Sequence, residues 1–288
     1  MKKLTAIFLY YSMFLIIGSC APKDTAVSAD GVPIAFQVQG SGTPALVFVH
    51  GWCCDKSYWD AQVPYFSKTH KVVTIDLAGH GESGLGREAY TMEAFGGDVV
   101  AVVDKLGLDK VVLIGHSMGG PVVLNAARRM PGRVIGLVGA DTYKIIEPEF
   151  TQKQMEEYLA NFRADFARTT VYIVHTMFPS SADSTLVEKI AADMSSAPQE
   201  VGLSAMEGSL DFMFNDQTIA LREVNVPVRC INSDMYPTDV EAARRYASSF
   251  EVAFMSEVGH FGMMEDSETF NRLLDQTVAE LVRLAGLE

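Results

Sequence analysis

Cationic side chains are scarce in this chain: 23 Lys and Arg stand against 36 Asp and Glu, a formal charge of −13 over 288 residues. Binding to a phosphate backbone needs clustered Lys and Arg, and no basic stripe occurs, so nucleic acid is excluded as a partner. Cysteine is scarce as well. Of the four, Cys53 and Cys54 are neighbours that cannot pair without strain, and Cys230 falls in an expected buried strand. No Cys-x-x-Cys pair or His-rich cluster has the spacing of a metal site, and no Gly-x-x-x-x-Gly-Lys loop is present to cradle phosphates. The sequence therefore implies no metal and no cofactor. Internal repeats and low-complexity tracts are also absent. The apolar run from about Ala6 to Ile17 is shorter than the roughly 20 residues of a membrane-spanning helix.

With 48% apolar and 20% charged residues, the composition is that of a globular protein with a sizeable core. The acidity is that of a soluble surface and carries little functional meaning.

The first twenty residues form a unit of their own. Lys2 and Lys3 precede the apolar run, and Gly18 and Ser19 lead into Cys20, the layout of a secretory signal with its cleavage region. The ending Ile17-Gly18-Ser19-Cys20 resembles the lipobox of bacterial lipoproteins. That resemblance implies removal of residues 1–19, lipidation of Cys20 and an exported protein held to a membrane by acyl chains. Residues 20–29 are expected to be a polar linker.

Beyond the linker, 31–39 alternates as a strand and ends in the turn Gly40-Ser41-Gly42. Continuous apolar runs follow at 45–49, 71–75, 111–114, 134–138, 226–231 and 252–255, separated for the most part by helix-length amphipathic segments such as 91–106 and 122–129. Buried runs alternating with helices predict an α/β fold, a mostly parallel central sheet with helices on both faces. One interval breaks the rhythm. Between Asp141 and Val226 lie more than eighty residues of helical periodicity with aromatic and Met clusters. The expected domains are thus a core of 30–141 and 225–288 with a helical cap of 142–224 inserted over the carboxyl edge of the sheet, where open α/β sheets bind ligands.

The richest local pattern is Gly115-His116-Ser117-Met118-Gly119, placed after the β-branched run 110–114 and before an Ala-rich helix. It has the form Gly-x-Ser-x-Gly on a strand-to-helix turn, which exposes a serine in a strained conformation. Pro121 is tolerated in the first helical turn. A serine hydroxyl needs a base to take its proton, an acid to hold that base and donors for the oxyanion. Among six histidines, His260 is the candidate base. It lies in Val258-Gly259-His260-Phe261-Gly262, after the last expected strand. His50, His80 and His116 sit in glycine turns near the same edge and are expected to be structural, and His175 is a surface or cap residue.

Taken together and in this order, His50-Gly51-Trp52, the segment Asp76–Ser83, the Gly-His-Ser-Met-Gly-Gly elbow and the late Gly-His resemble the α/β-hydrolase superfamily from Gly31 to the C-terminus. The resemblance implies oxyanion donors at the backbone N–H groups of Met118 and Trp52. It leaves two candidates for the acid. Many members place it after the penultimate strand, where this chain has Asp234 and then Tyr236. A branch resembling haloalkane dehalogenases takes it from the strand before the insertion, where this chain has Asp141. Asp141 is placed ahead of Asp234, and the other aspartate is expected to cap its loop.

Dehalogenases and epoxide hydrolases of this fold use an aspartate at the elbow, so Ser117 argues against both chemistries. A Ser-His-Asp set suits hydrolysis of a small or medium apolar carboxylic ester through an acyl-enzyme. The alternatives are a carbon–carbon bond hydrolase or a lactonase with the same triad, or a non-catalytic ligand receptor of this fold. A pure binder has no need of a nucleophile.

Overall fold

A computed structural model describes residues 24–287. The expected signal peptide and the lipidated Cys20 lie outside the described residues.

Eight strands form one sheet: β1 (Thr25–Val27), β2 (Pro33–Gln39), β3 (Ala45–Val49), β4 (Val72–Ile75), β5 (Val111–His116), β6 (Val134–Ala140), β7 (Val228–Ser233) and β8 (Phe250–Met255). Their order is β1-β2-β4-β3-β5-β6-β7-β8. β1 and β2 run antiparallel to their neighbours, and β3 to β8 pair in parallel. The central runs β3, β5 and β6 are buried along their whole length. Two covered faces leave no solvated side to alternate with, which is why these strands read as continuous apolar runs. Part of the expected linker is corrected here: Thr25–Val27 pairs with β2 and belongs to the sheet.

Between the strands lie α1 (Val63–Phe66), α2 (Met92–Lys105), α3 (Gly119–Arg129), α4 (Gln152–Ala164), α5 (Phe166–Thr176), α6 (Ser184–Ser195), α7 (Gln199–Asn215), α8 (Gln217–Glu223) and α9 (Val240–Tyr246), and after β8 come α10 (Gly262–Glu265) and α11 (Ser267–Leu284). In α2, the Thr91 hydroxyl accepts from the Ala94 N–H, and in α11 the Asp266 carboxylate accepts from the Thr269 N–H; each satisfies an otherwise orphaned donor of a first turn. α11 buries Phe270, Leu274, Val278 and Leu281, a stripe at helical spacing. Leu281 fills the space over Gly136 of β6, where a Cβ would meet its methyls.

Five helices, α4 to α8, separate β6 from β7. α8 packs on α3 and α9 as well as on α7, whereas α4 packs on α5 and α7, and α5 on α6. α4 begins with a capping box of Thr151 and Gln154, and Asp165 and Asp183 cap α5 and α6.

Candidate active site

Three adjacent parallel strands, β3, β5 and β6, end at one edge of the sheet, and ladder register brings their last residues side by side: Val49 opposite Gly115, and His116 opposite Ala140. Each strand then turns sharply. Ser117 adopts φ 51° and Asp141 φ 46°, left-handed conformations that cost a non-glycine residue about 1–2 kcal/mol. The positive φ of the elbow therefore sits on the serine itself. Its glycine neighbours are required by close approach: a Cβ on Gly119 would lie 2.6 Å from the Val49 carbonyl oxygen, and one on Gly115 would collide with the Gly119 carbonyl. The Ser117 N–H donates to the Ala140 carbonyl at 3.0 Å, and the Thr142 hydroxyl donates to the Ser117 carbonyl at 2.9 Å. These bonds tie the elbow to the turn that carries Asp141.

Asn232 of β7 fixes that second turn by accepting from the Thr142 N–H at 3.2 Å and donating to the Thr142 carbonyl at 3.0 Å. The Asp141 carboxylate is 8% exposed and fully engaged. Its Oδ2 lies 2.6 Å from His260 Nδ1, and its Oδ1 accepts from the Ser233 N–H at 2.7 Å and pairs with Lys144 Nζ at 2.9 Å. Burial raises the pKa of this carboxyl, but the hydrogen bond and charge of His260, with the Lys144 ammonium, more than offset it and hold it below the ordinary value. It is thus an anion at neutral pH, with two neighbours to stabilise the charge.

His260 is presented by a loop held at both sides. Its backbone N–H donates to the Met177 carbonyl of the cap at 2.8 Å, and its carbonyl accepts from His116 Nε2 at 2.9 Å. Glu265 accepts from the N–H groups of Gly259 and Phe261, the two residues flanking the histidine. Gly259 is required where the loop meets the cap, since a Cβ there would strike the Met177 carbonyl. With Nδ1 given to Asp141, Nε2 is the free nitrogen of the ring, and the imidazole opens into the same cavity as Ser117.

That cavity has a volume of about 100 Å³ and is walled by Trp52, Met118, Met177, Met194, Met206 and Phe261. Larger surface clefts lie elsewhere, one of about 510 Å³ between α2, α3 and α7, but none of them contains Ser117 or His260. Trp52 is anchored by its side chain. Its indole N–H donates to the Gly202 carbonyl of α7 at 2.7 Å, and its ring meets Phe162 and Phe166 edge to face. The backbone N–H groups of Trp52 and Met118 donate to no other group among the described residues.

Asp234 does not join this arrangement. It is exposed, and its carboxylate accepts from the Ser256 hydroxyl at 2.5 Å; nothing links it to His260. Tyr236 donates its hydroxyl to the Thr176 carbonyl at 3.0 Å. The other histidines are engaged elsewhere. Burial pushes the pKa of His50 down to about 4 and those of His80 and His116 to about 3, so all three are neutral. His50 Nδ1 bonds the Gly51 carbonyl and its Nε2 accepts from the Leu77 N–H. His175 lies exposed on α5, near Glu188. Lys144, Ser233, Asn232 and Glu265 escaped the sequence reading because each acts on the acid or the histidine from outside any motif. Among the described residues, no three His, Cys, Asp or Glu side chains converge as a metal site would require.

With this geometry in place, the chain can be set beside known proteins. The family model described as alpha/beta hydrolase fold matches residues 44–176. The chain is similar to 3-oxoadipate enol-lactonase 2 of Acinetobacter baylyi, with 26% identity over 258 residues that cover 88% of this chain and 95% of the lactonase. It is 36% identical to a non-heme haloperoxidase of Rhodococcus erythropolis over 126 residues, 42% of this chain and 46% of the relative. The chain spans less than half the length of that haloperoxidase and 28% of a dihydrolipoyllysine-residue acetyltransferase component of the acetoin cleaving system of Pseudomonas putida, to which it is 38% identical over 102 residues. Among solved structures, a thermophilic esterase from Thermogutta terrifontis superposes with a TM-score of 0.77 at 24% identity, covering 90% of this chain and 98% of that one. That likeness is one of fold. The match over residues 44–176 and the architecture over nine-tenths of the chain's length give it the α/β-hydrolase fold.

Proposed function

We propose that the chain is a serine hydrolase of small carboxylic esters. The observation that carries this reading is the 2.6 Å pair between Asp141 and His260 Nδ1, on a ring that shares its cavity with a serine held at φ 51°.

In this mechanism His260 Nε2 takes the Ser117 hydroxyl proton as Oγ attacks the ester carbonyl, and the N–H groups of Trp52 and Met118 stabilise the oxyanion. Asp141 holds the imidazole in the tautomer with hydrogen on Nδ1 and stabilises the imidazolium that forms. The intermediate collapses as His260 returns the proton to the leaving alkoxide, which departs as an alcohol. Water then gives its proton to the same nitrogen and attacks the acyl-Ser117 ester, releasing the acid and restoring the serine. Lactones are cyclic esters and follow the same steps, a variant favoured by the lactonase relative that aligns over nearly its whole length.

A fluorophosphonate probe tests this reading. It should label the wild-type protein at Ser117 and leave Ser117→Ala unlabelled; no labelling of wild-type protein would point to the binding-only alternative. The exported, lipid-anchored location is a separate proposal, supported by Lys2, Lys3 and the Ile17-Gly18-Ser19-Cys20 ending. Mass spectrometry of the mature N-terminus should find acylated Cys20 as the first residue, and an intact Met1 would refute the anchor.

A further inference from the structure

The cavity that holds Ser117 and His260 contains one polar side chain that neither the proposed reaction nor the fold employs. Ser209, on α7, lines the cavity beside Met206. Hydroxyls on helices commonly bond back to a carbonyl one turn earlier, and several in this chain do so: Thr176 donates to Ile173 at 2.6 Å, Ser195 to Ala192 at 3.2 Å and Thr277 to Leu273 at 2.8 Å. On α7 itself, Ser204 accepts from the Tyr90 N–H at 3.0 Å. Ser209 is half-buried and makes no such bond among the described residues. Ser117 apart, the other polar side chains of the wall each make a bond within the protein, although His116 Nδ1 is left without a partner among the described residues. His116 Nε2 donates to the His260 carbonyl, and the Cys54 thiol lies 3.3 Å from the Trp52 carbonyl oxygen.

Size and charge narrow what this hydroxyl can meet. The cavity's volume of about 100 Å³ is below the 300–1,000 Å³ typical of drug-sized ligands, which favours a short acyl group. Methionines from four positions supply a soft apolar wall. No Lys or Arg reaches the cavity, so a carboxylate on the acyl chain would be desolvated without a counter-charge, an expensive arrangement. A neutral oxygen would not be penalised in this way, and a serine hydroxyl can both donate to it and accept from it.

Resting on the serine-hydrolase reading, we infer that Ser209 is a specificity-determining residue, selecting short acyl groups that carry a neutral hydroxyl or keto oxygen over plain alkyl chains and over chains that end in a carboxylate. The enol-lactonase among the relatives is named for an oxoadipate, a dicarboxylate; by its lining, the pocket of this chain is built for a different acyl group.

Nitrophenyl esters of butyrate, 2-hydroxybutyrate, 3-hydroxybutyrate and succinate share one leaving group and isolate the acyl pocket. A neutral hydrogen bond corresponds to about a three- to tenfold preference, so kcat/KM of the wild-type enzyme for one of the hydroxybutyrates should exceed that for butyrate by this factor, with hemisuccinate about tenfold or more below butyrate. In Ser209→Ala the ratio of hydroxybutyrate to butyrate should collapse toward one, with thermal unfolding unchanged. A wild-type ratio of one, a ratio that survives in Ser209→Ala, or hemisuccinate turned over as well as butyrate would overturn the inference. Failure to hydrolyse any of the four, together with failure to label Ser117, would instead remove the serine-hydrolase reading beneath it.

Discussion

Val49, His116 and Ala140 end three neighbouring strands of one sheet, whereas Met177, Met194 and Met206 reach the same cavity from the end of α5, from α6 and from α7. The first set is fixed by ladder register and by hydrogen bonds that cross between turns, such as Ser117 to Ala140 and Thr142 to Asn232. The second set lines the cavity with long, unbranched side chains, whose placement depends on how the cap helices pack. The sheet edge therefore places reacting atoms, which tolerate little displacement, and the cap shapes a volume that a substitution can alter without moving the nucleophile. Bonds that cross from one region to the other include those of the Trp52 indole to the Gly202 carbonyl and the His260 N–H to the Met177 carbonyl. Through them the cap also steadies the proposed base and one proposed oxyanion donor.

The largest effects belong to the sheet edge. Ser117→Ala and His260→Ala should each lower ester turnover by about 10⁵ or more, and the double variant should be little worse, because the pair acts as a unit. Additive losses would mean that the two residues serve separate functions. Next comes the acid. Asp141→Asn should cost about 10⁴ in kcat, while Asp234→Asn, on the surface beside Ser256, should stay within a few-fold of wild type. The reverse pattern would return the acid to the strand nearer the C-terminus.

A smaller effect tests the bridge from cap to core. Trp52→Phe keeps an aromatic ring against Phe162 and Phe166 but deletes the bond to Gly202. A lost bond of this kind is worth about 1 kcal/mol, so kcat should fall about fivefold with KM nearly unchanged. An increase in KM alone would assign the ring to substrate binding. The least direct test is pH. Burial holds His50 near 4 and His80 and His116 near 3 in the folded state, against 6.5 for an exposed imidazole. Below pH 6.5 the unfolded chain therefore binds protons that the folded chain refuses, and stability falls as pH drops from 6.5 toward 4. Above 6.5 these three groups contribute no pH dependence. A melting temperature that stays flat from pH 7 to 4.5 would contradict their buried, neutral state.

The contrast between regions also explains what could be read in advance. β3 and β6 were legible as continuous apolar runs, and the Ser117 elbow as a motif whose glycines are demanded by contacts with Val49 and Gly119. Asp141 could be placed ahead of Asp234 only through the family resemblance, because both end strands at the same edge and the register of β6 against β7, with the Asn232 clamp, decides which carboxylate meets His260. β1 was missed because three residues are too short to show alternation. The cap methionines were legible as clusters but not as a wall: which face of a helix meets the sheet edge depends on packing between helices, and Met177 and Met206 carry no local signature of it. Ser209 was invisible for the same reason.

The most direct test of the central claim is to catch the acyl-enzyme. Rapid acid quench of the wild-type protein during turnover of nitrophenyl butyrate, followed by peptide mass analysis, should find one butyryl group on the peptide containing Ser117, absent from Ser117→Ala. Turnover at the wild-type rate with no acylated Ser117 at any quench time, or a butyryl group on another residue, would contradict it.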